Sequence, residues 1–179
     1  MKIRHFCMLS VMALTGVLLS GCGLRTIVKM CPVASILADT SSYPFFRPGM
    51  DGDPAGEAFN AKIVSVTTDC NYDQRLMRSD SDAEIFFRAT RTPTGEAATY
   101  HVPYFLAVTY AGEIRTKKNF SVEFTFAPGA ATAEFSQDVE SILNQVELGK
   151  LPFDYQILAG VQLSEAQMNY NKLMGRYTP

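Results

Sequence analysis

The chain is 179 residues long, 47% hydrophobic and 19% charged, with 16 Lys+Arg against 18 Asp+Glu. This is the composition of one ordinary globular domain with enough length for its own core, and it excludes both extended disorder and a multidomain enzyme. A formal net charge of −2 leaves no broad basic surface for a phosphate backbone, which excludes nucleic acid as a partner.

The first 22 residues stand apart from the rest. Lys2 and Arg4 supply a positive start, and Phe6 to Leu19 form an uncharged, mostly apolar run of fourteen, the pattern of a secretory signal peptide. The run is too short for a transmembrane helix, which needs about 20 apolar residues to cross a hydrocarbon core of ~30 Å. Leu19-Ser20-Gly21-Cys22, small residues leading to a cysteine, resembles the lipobox of bacterial lipoproteins. The resemblance implies that residues 1–21 are removed and that Cys22 becomes the lipidated first residue, with a diacylglycerol on its sulfur and an acyl chain on its amine. The membrane is then the first partner. Each buried methylene contributes about 0.8 kcal/mol, so two or three chains hold a protein where one holds it only marginally. Lipoproteins retained in the inner membrane carry aspartate after the anchor; Gly23 in that place implies the outer membrane, facing the periplasm. Losing Lys2 and Arg4 leaves 14 basic residues against 18 acidic ones, a formal −4, so no polybasic segment assists the lipid.

Cys7 leaves with the signal and Cys22 takes the lipid, which leaves Cys31 and Cys70 in an oxidising compartment, where they are predicted to pair. In the chain-entropy treatment, closing such a loop stabilises the fold by roughly 4 kcal/mol. A redox pair or a metal site is the alternative, and the pair lacks both CxxC spacing and neighbouring histidines. Eight residues separate Cys22 from Cys31. A tether of that length reaches roughly 30 Å at most, so the segment 22–30 reads as a short anchor and 31–179 as one domain held close to its bilayer.

Val33 to Ala38 reads as a first edge strand, followed by a Ser/Pro/Gly-rich loop through Met50 and the turn Asp51-Gly52-Asp53-Pro54. The period then changes to two. Phe59 to Asp69, Ala83 to Arg91, Tyr100 to Tyr110, Glu113 to Phe126, Thr132 to Ile142 and Phe153 to Leu163 each read as strands, with Ala111-Gly112 as a tight hairpin connection. The clearest alternation is Phe120, Val122, Phe124 and Phe126 against Ser121, Glu123 and Thr125. Ser136 to Glu147 has a helical alternative, because Val139, Ile142, Leu143 and Val146 recur at helical spacing. Ser164 with Gln167 forms a capping-box pattern for a last short helix ended by Gly175, with Tyr170, Leu173 and Met174 on one stripe. About seven short strands with turn signals between them predict an all-β fold, an immunoglobulin/fibronectin-like antiparallel β-sandwich with a C-terminal helix; a small barrel is the alternative. With no Trp the likeness to immunoglobulin domains is architectural only.

Chemistry is sparse. His5 leaves with the signal, so a hydrolase would depend on His101 in a predicted strand, and no G-x-S-x-G elbow accompanies it. Asp51-Gly52-Asp53 and Asp80-Ser81-Asp82 offer oxygen ligands but continue into no calcium loop, and no phosphate loop or zinc spacing occurs; no cofactor and no metal are expected. Tyr43, Phe45, Phe46 and Arg47, with Tyr104, are the candidate contact patch for a protein partner, since Tyr and Arg are frequent in binding hot spots, although core packing also explains such aromatics. Cys31-Pro32, Phe46-Arg47-Pro48-Gly49, Cys70 and the tail Gln162 to Lys172 are together similar to small envelope lipoproteins of alphaproteobacteria, a resemblance that implies a location and no mechanism. The expectation is a lipid-anchored, non-enzymatic module with a protein partner in or near the same membrane. A carrier of a small ligand or lipid is the alternative, and a hydrolase using His101 the weaker one.

Overall fold

The computed structural model describes residues 31–176. Eight strands and one helix follow in chain order: β1 (Val33–Ile36), β2 (Ser42–Phe46), β3 (Glu57–Asp73), β4 (Arg78–Thr90), β5 (Ala98–Tyr110), β6 (Glu113–Phe126), β7 (Thr132–Gln145), β8 (Tyr155–Val161) and α1 (Glu165–Leu173). They form two four-stranded sheets, ordered β1-β8-β5-β6 and β2-β3-β4-β7. The expected all-β sandwich is what the chain adopts. Alternating side chains from the two inner faces meet in one core, in which Phe59, Ile63, Ile85 and Phe87 from one sheet face Val102, Tyr104, Phe126 and Ile157 from the other. Two details depart from expectation. β1 pairs parallel with β8, so that sheet is mixed, and the meander β2-β3-β4 differs from the immunoglobulin strand order, leaving the likeness in the layering alone.

The additional strand is β2, in the segment read as loop. Pro44 is the reason it reads as loop, since proline cannot donate to a ladder. An edge strand tolerates it, and β2 is the edge of its sheet, paired on one side with β3. Its other faces are used as well: Phe45 stacks on Phe59 at 4.9 Å inside the sandwich, while Phe46 meets the Tyr170 ring edge-on at 4.9 Å outside it.

The helical alternative for Ser136 to Glu147 is resolved in favour of strand, and a bulge explains the ambiguous spacing. Ser81 lies opposite Ile142 and Ala83 opposite Val139, so Asp82 faces two residues, Glu140 and Ser141. Ser141 takes φ +56°, and its N–H donates to the Asp82 carboxylate at 3.0 Å. The extra residue puts Val139 and Ile142 on the same inward face three positions apart, which in sequence imitates a helix turn. At Ala111-Gly112, φ values of +52° and +82° give the mirror-image turn whose twist matches the flanking strands of the β5–β6 hairpin.

Helix α1 starts and stops as its sequence dictates. The Ser164 hydroxyl accepts from the Gln167 N–H at 3.2 Å, and the Gln167 side chain accepts from the Ser164 N–H at 2.9 Å. At the other end Gly175, at φ +62°, allows the N–H groups of Gly175 and Arg176 to reach back to the carbonyls of Lys172 and Asn171. The expected apolar stripe is corrected: Tyr170 is buried, but Leu173 is 84% exposed and Met174 is exposed as well. The helix docks through polar side chains. Gln167 donates to the Pro44 carbonyl and Asn171 to the Ser42 carbonyl, both at 2.7 Å, Tyr170 donates to Glu57, and Arg176 grips the Glu57 carboxylate with two bonds at 2.7 and 2.8 Å. A helix of nine residues has too little surface to hold itself by apolar burial, and hydrogen bonds to an edge strand supply the difference.

Candidate functional site

Cys31 and Cys70 form the predicted disulfide, with their Cα atoms 5.6 Å apart. Beside it the Thr68 hydroxyl donates to the Pro32 carbonyl at 3.3 Å. The bridge fastens the start of β1 to the far end of β3, so the chain joins the domain at a fixed place. Cys22 lies outside the described residues, as does everything before Cys31.

The aromatic patch does not form, which corrects the expectation that Tyr43, Phe45, Phe46, Arg47 and Tyr104 face a partner. Tyr104 is 1% exposed and packs on Phe87 and Phe120; Phe46 is buried beneath α1; Tyr43 and Phe45 lean into the core against Phe59. Burial pushes the Tyr104 phenol up from 10.0 to about 12. Arg47 alone is exposed, and its guanidinium donates to the Ala55 carbonyl at 3.2 Å, closing its own loop. The reason is β2: five residues read as loop are a strand, and strand residues alternate between a core face and a helix-covered face.

The other polar candidates are structural or lie on open surface. His101 is 64% exposed on β5, opposite Glu123, with Nε2 3.4 Å from that carboxylate. Asp53 caps a short 3-10 turn by accepting from the Ala55 N–H, and Asp82 bridges the β7 bulge. These roles use the acids on backbone N–H groups, as turn and bulge acids commonly are.

An open cleft of about 700 Å³ lies between β1 and β3 and reaches β4; Ile36, Val64 and Val66 line it together with Lys62 and Arg88. Lys62 and Arg88 stand directly opposite each other across β3 and β4, and Arg88 is bonded to Glu134 at 2.8 Å. The Asn60 side-chain amide nitrogen, also at this cleft, is buried without a partner among the described residues. The β3 bulge at Ile63/Ser65 opens the space by displacing the strand just where β2 stops pairing. Chemically the cleft can take an apolar chain with an acidic head.

The two ends of the sandwich differ more than its faces do. At one end lie the links β2–β3, β4–β5 and β6–β7, the last two tied together by the Arg91 guanidinium, which donates to the carbonyls of Glu96, Ala127 and Ala130. These links consist mostly of Gly, Pro, Thr, Asp and Ala, the residues of ordinary solvated turns. At the other end lie the links β3–β4, β5–β6 and β7–β8 together with the start of β1, since Val33 pairs with Gln156 and Tyr110 with Tyr155. There Leu148 is 89% exposed, and Leu151 and Phe153 of the same link are also exposed. Leu76 is exposed on the β3–β4 link and Ile114 beside the β5–β6 turn. The sequence reads Leu148 and Leu151 as turn and Ile114 and Phe153 as strand, with no surface role, although Leu148-Gly149-Lys150-Leu151-Pro152-Phe153 is unusually apolar for a link, which is the signal that would have found it.

No family model, no curated protein and no solved structure matches the chain.

Proposed function

We propose that the chain is a lipid-anchored, non-enzymatic module of a bacterial envelope, held by acyl chains on Cys22 and acting as a structural or protein-interaction unit at the periplasmic face of the membrane. The observation that carries this reading is the Cys31–Cys70 bridge: it is a bond of oxidising compartments, and it ties a cysteine nine positions after Cys22 to the body of the sandwich. An anchor at Cys22 therefore acts on a rigid body through a tether of roughly 30 Å or less. The mature chain's imidazole, His101, is engaged in an open surface pair, and no nucleophile elbow accompanies it. Intact mass of the protein extracted from membranes tests the reading. The expected mass lacks residues 1–21 and carries added acyl chains; an unmodified amino terminus overturns it.

The cleft favours a second reading, a carrier of a single-chain amphiphile with an acidic head. Its lining combines apolar residues with two cationic side chains and an unpartnered amide. Displacement of a fluorescent fatty acid decides it: competition by oleate that disappears in Lys62→Ala/Arg88→Ala supports the carrier, and no binding of the probe excludes it.

A further inference from the structure

Resting on the anchoring reading, we infer that the apolar end of the sandwich sits in the headgroup layer of the lipid bilayer, with the β7–β8 link inserted as a wedge. Eleven large hydrophobic side chains are exposed among the described residues, and seven of them belong to this end: Leu76, Leu148, Leu151 and Phe153 in its links and, on the adjoining strands, Val33, Ile114 and Leu143. The links of the opposite end contribute none of the eleven; beside them only Leu173 and Met174 are exposed, at the end of α1 where Arg176 bonds Glu57. Scattered exposed apolar side chains need no explanation, but seven gathered at one end mark an interaction surface.

Two further observations make lipid the occupant. The chain joins the domain at this same end, through Cys31 and β1. β5 runs the length of the sandwich in 13 residues, roughly 40 Å at about 3.3 Å each, so a tether of roughly 30 Å from Cys22 cannot bring the opposite end to the membrane that holds the lipid. The polar groups around the wedge are arranged as at a membrane interface. Arg115 and Lys150 both lie over the Tyr110 ring, 5.3 Å from its centroid, which gives an aromatic and two long cations at headgroup level. Arg75 and Arg78 add two more cations at the same end. The acids of this end are partnered: Asp73 accepts from the N–H groups of Arg75 and Leu76, Asp154 from that of Leu151, and the exposed Glu147 and Glu113 face Arg115 at 3.0 and 3.9 Å. Those bonds also fix the link, so Leu148, Leu151 and Phe153 project outward from a shaped turn.

Because the chain has no Trp, a single one reports its own depth. Leu148→Trp and, at the opposite end, Thr94→Trp are prepared in the full acylated protein and reconstituted into phosphatidylethanolamine/phosphatidylglycerol vesicles with or without brominated acyl chains. The expected result is blue-shifted emission for Leu148→Trp, with quenching by the brominated lipid several-fold stronger than for Thr94→Trp. Equal, weak quenching at both positions in protein that floats with the vesicles overturns the inference and leaves the anchor standing. Protein that lacks the acyl mass overturns the anchoring reading instead, and in that event quenching of Leu148→Trp by added vesicles still decides the surface. If Leu148→Trp lowers Tm by more than a few degrees, Phe153→Trp replaces it in the same comparison.

Discussion

The two ends of this sandwich invert the usual arrangement relative to each other. Near the polar end the interior is a continuous aromatic cluster in which Phe59 contacts the rings of Phe45, Tyr100, Phe124 and Phe126, while the links outside are solvated turns. Near the apolar end the links outside carry leucines and a phenylalanine, while buried polar side chains enter the interior: Ser79 and Ser81, whose hydroxyls are 3.5 Å apart, with Thr109 and Asn144. Both ends are packed by buried hydrophobic residues, Val108, Val146, Tyr155 and Ile157 among them at the apolar end. That end adds a disulfide and hydrogen-bonded turns, and it leaves apolar side chains exposed. A stretch of exposed hydrophobic residues is thus informative here because the same molecule supplies the contrasting case.

The contrast can be broken by substitution, beginning with the largest effect. Phe59→Ala empties the centre of the aromatic cluster and should cost about 3–5 kcal/mol in chemical denaturation; a loss near 1 kcal/mol means the cluster does not carry that end. Opening the Cys31–Cys70 bridge, by reduction or as Cys31→Ser/Cys70→Ser, should cost about 3–4 kcal/mol and lower Tm by roughly 10 °C. An unchanged melt would show that the chain junction is held without the bridge.

Between the ends, Tyr104 provides a pH test. Its phenol is pushed up to about 12 by burial, from 10.0, so the folded state binds this proton more tightly than the unfolded one. Its contribution is whole below pH 10 and is lost as pH rises from 10 to about 12. Phenolate absorbance should therefore show a late-titrating component, accompanied by falling Tm, that Tyr104→Phe reduces and does not abolish, since burial and the bond to Glu57 hold the Tyr170 phenol up as well; ordinary titration of every tyrosine would contradict the packing. A smaller effect belongs to Glu57→Gln, which breaks the two-bond grip on Arg176 and weakens the tie to Tyr170. The pair is largely but not fully buried, so about 1–2 kcal/mol is expected, with α1 exchanging amide protons faster than β3. Smallest on stability is Leu148→Asp, within about 0.5 kcal/mol by thermal melt, because nothing in the domain packs over that side chain. A larger loss would make the leucine structural and remove the difference between the ends.

Reading the chain alone recovered what depends on local order. The period-two runs of β5 and β6, the Ala111-Gly112 turn, the box at Ser164 and Gln167 and the pairing of Cys31 with Cys70 all follow from residues near one another or from counting. β2 was missed because Pro44 masks it; only the partner β3 makes five such residues a strand, and only then are Tyr43, Phe45 and Phe46 core rather than surface. The β7 bulge left a helical alternative open beside the strand for a related reason: one inserted residue mimics helical spacing, and the register that exposes it belongs to β4.

What the sequence determined by itself is an all-β pattern with a cross-link and a capped last helix, because periodicity, caps and cysteine number are properties of short stretches. Which apolar residues stay uncovered is decided by tertiary structure alone. Leu148, Leu151 and Phe153 read like any turn-flanking residues until the folding of both sheets brings their link to the end where the chain joins the domain, because exposure depends on which neighbours arrive from far along the chain.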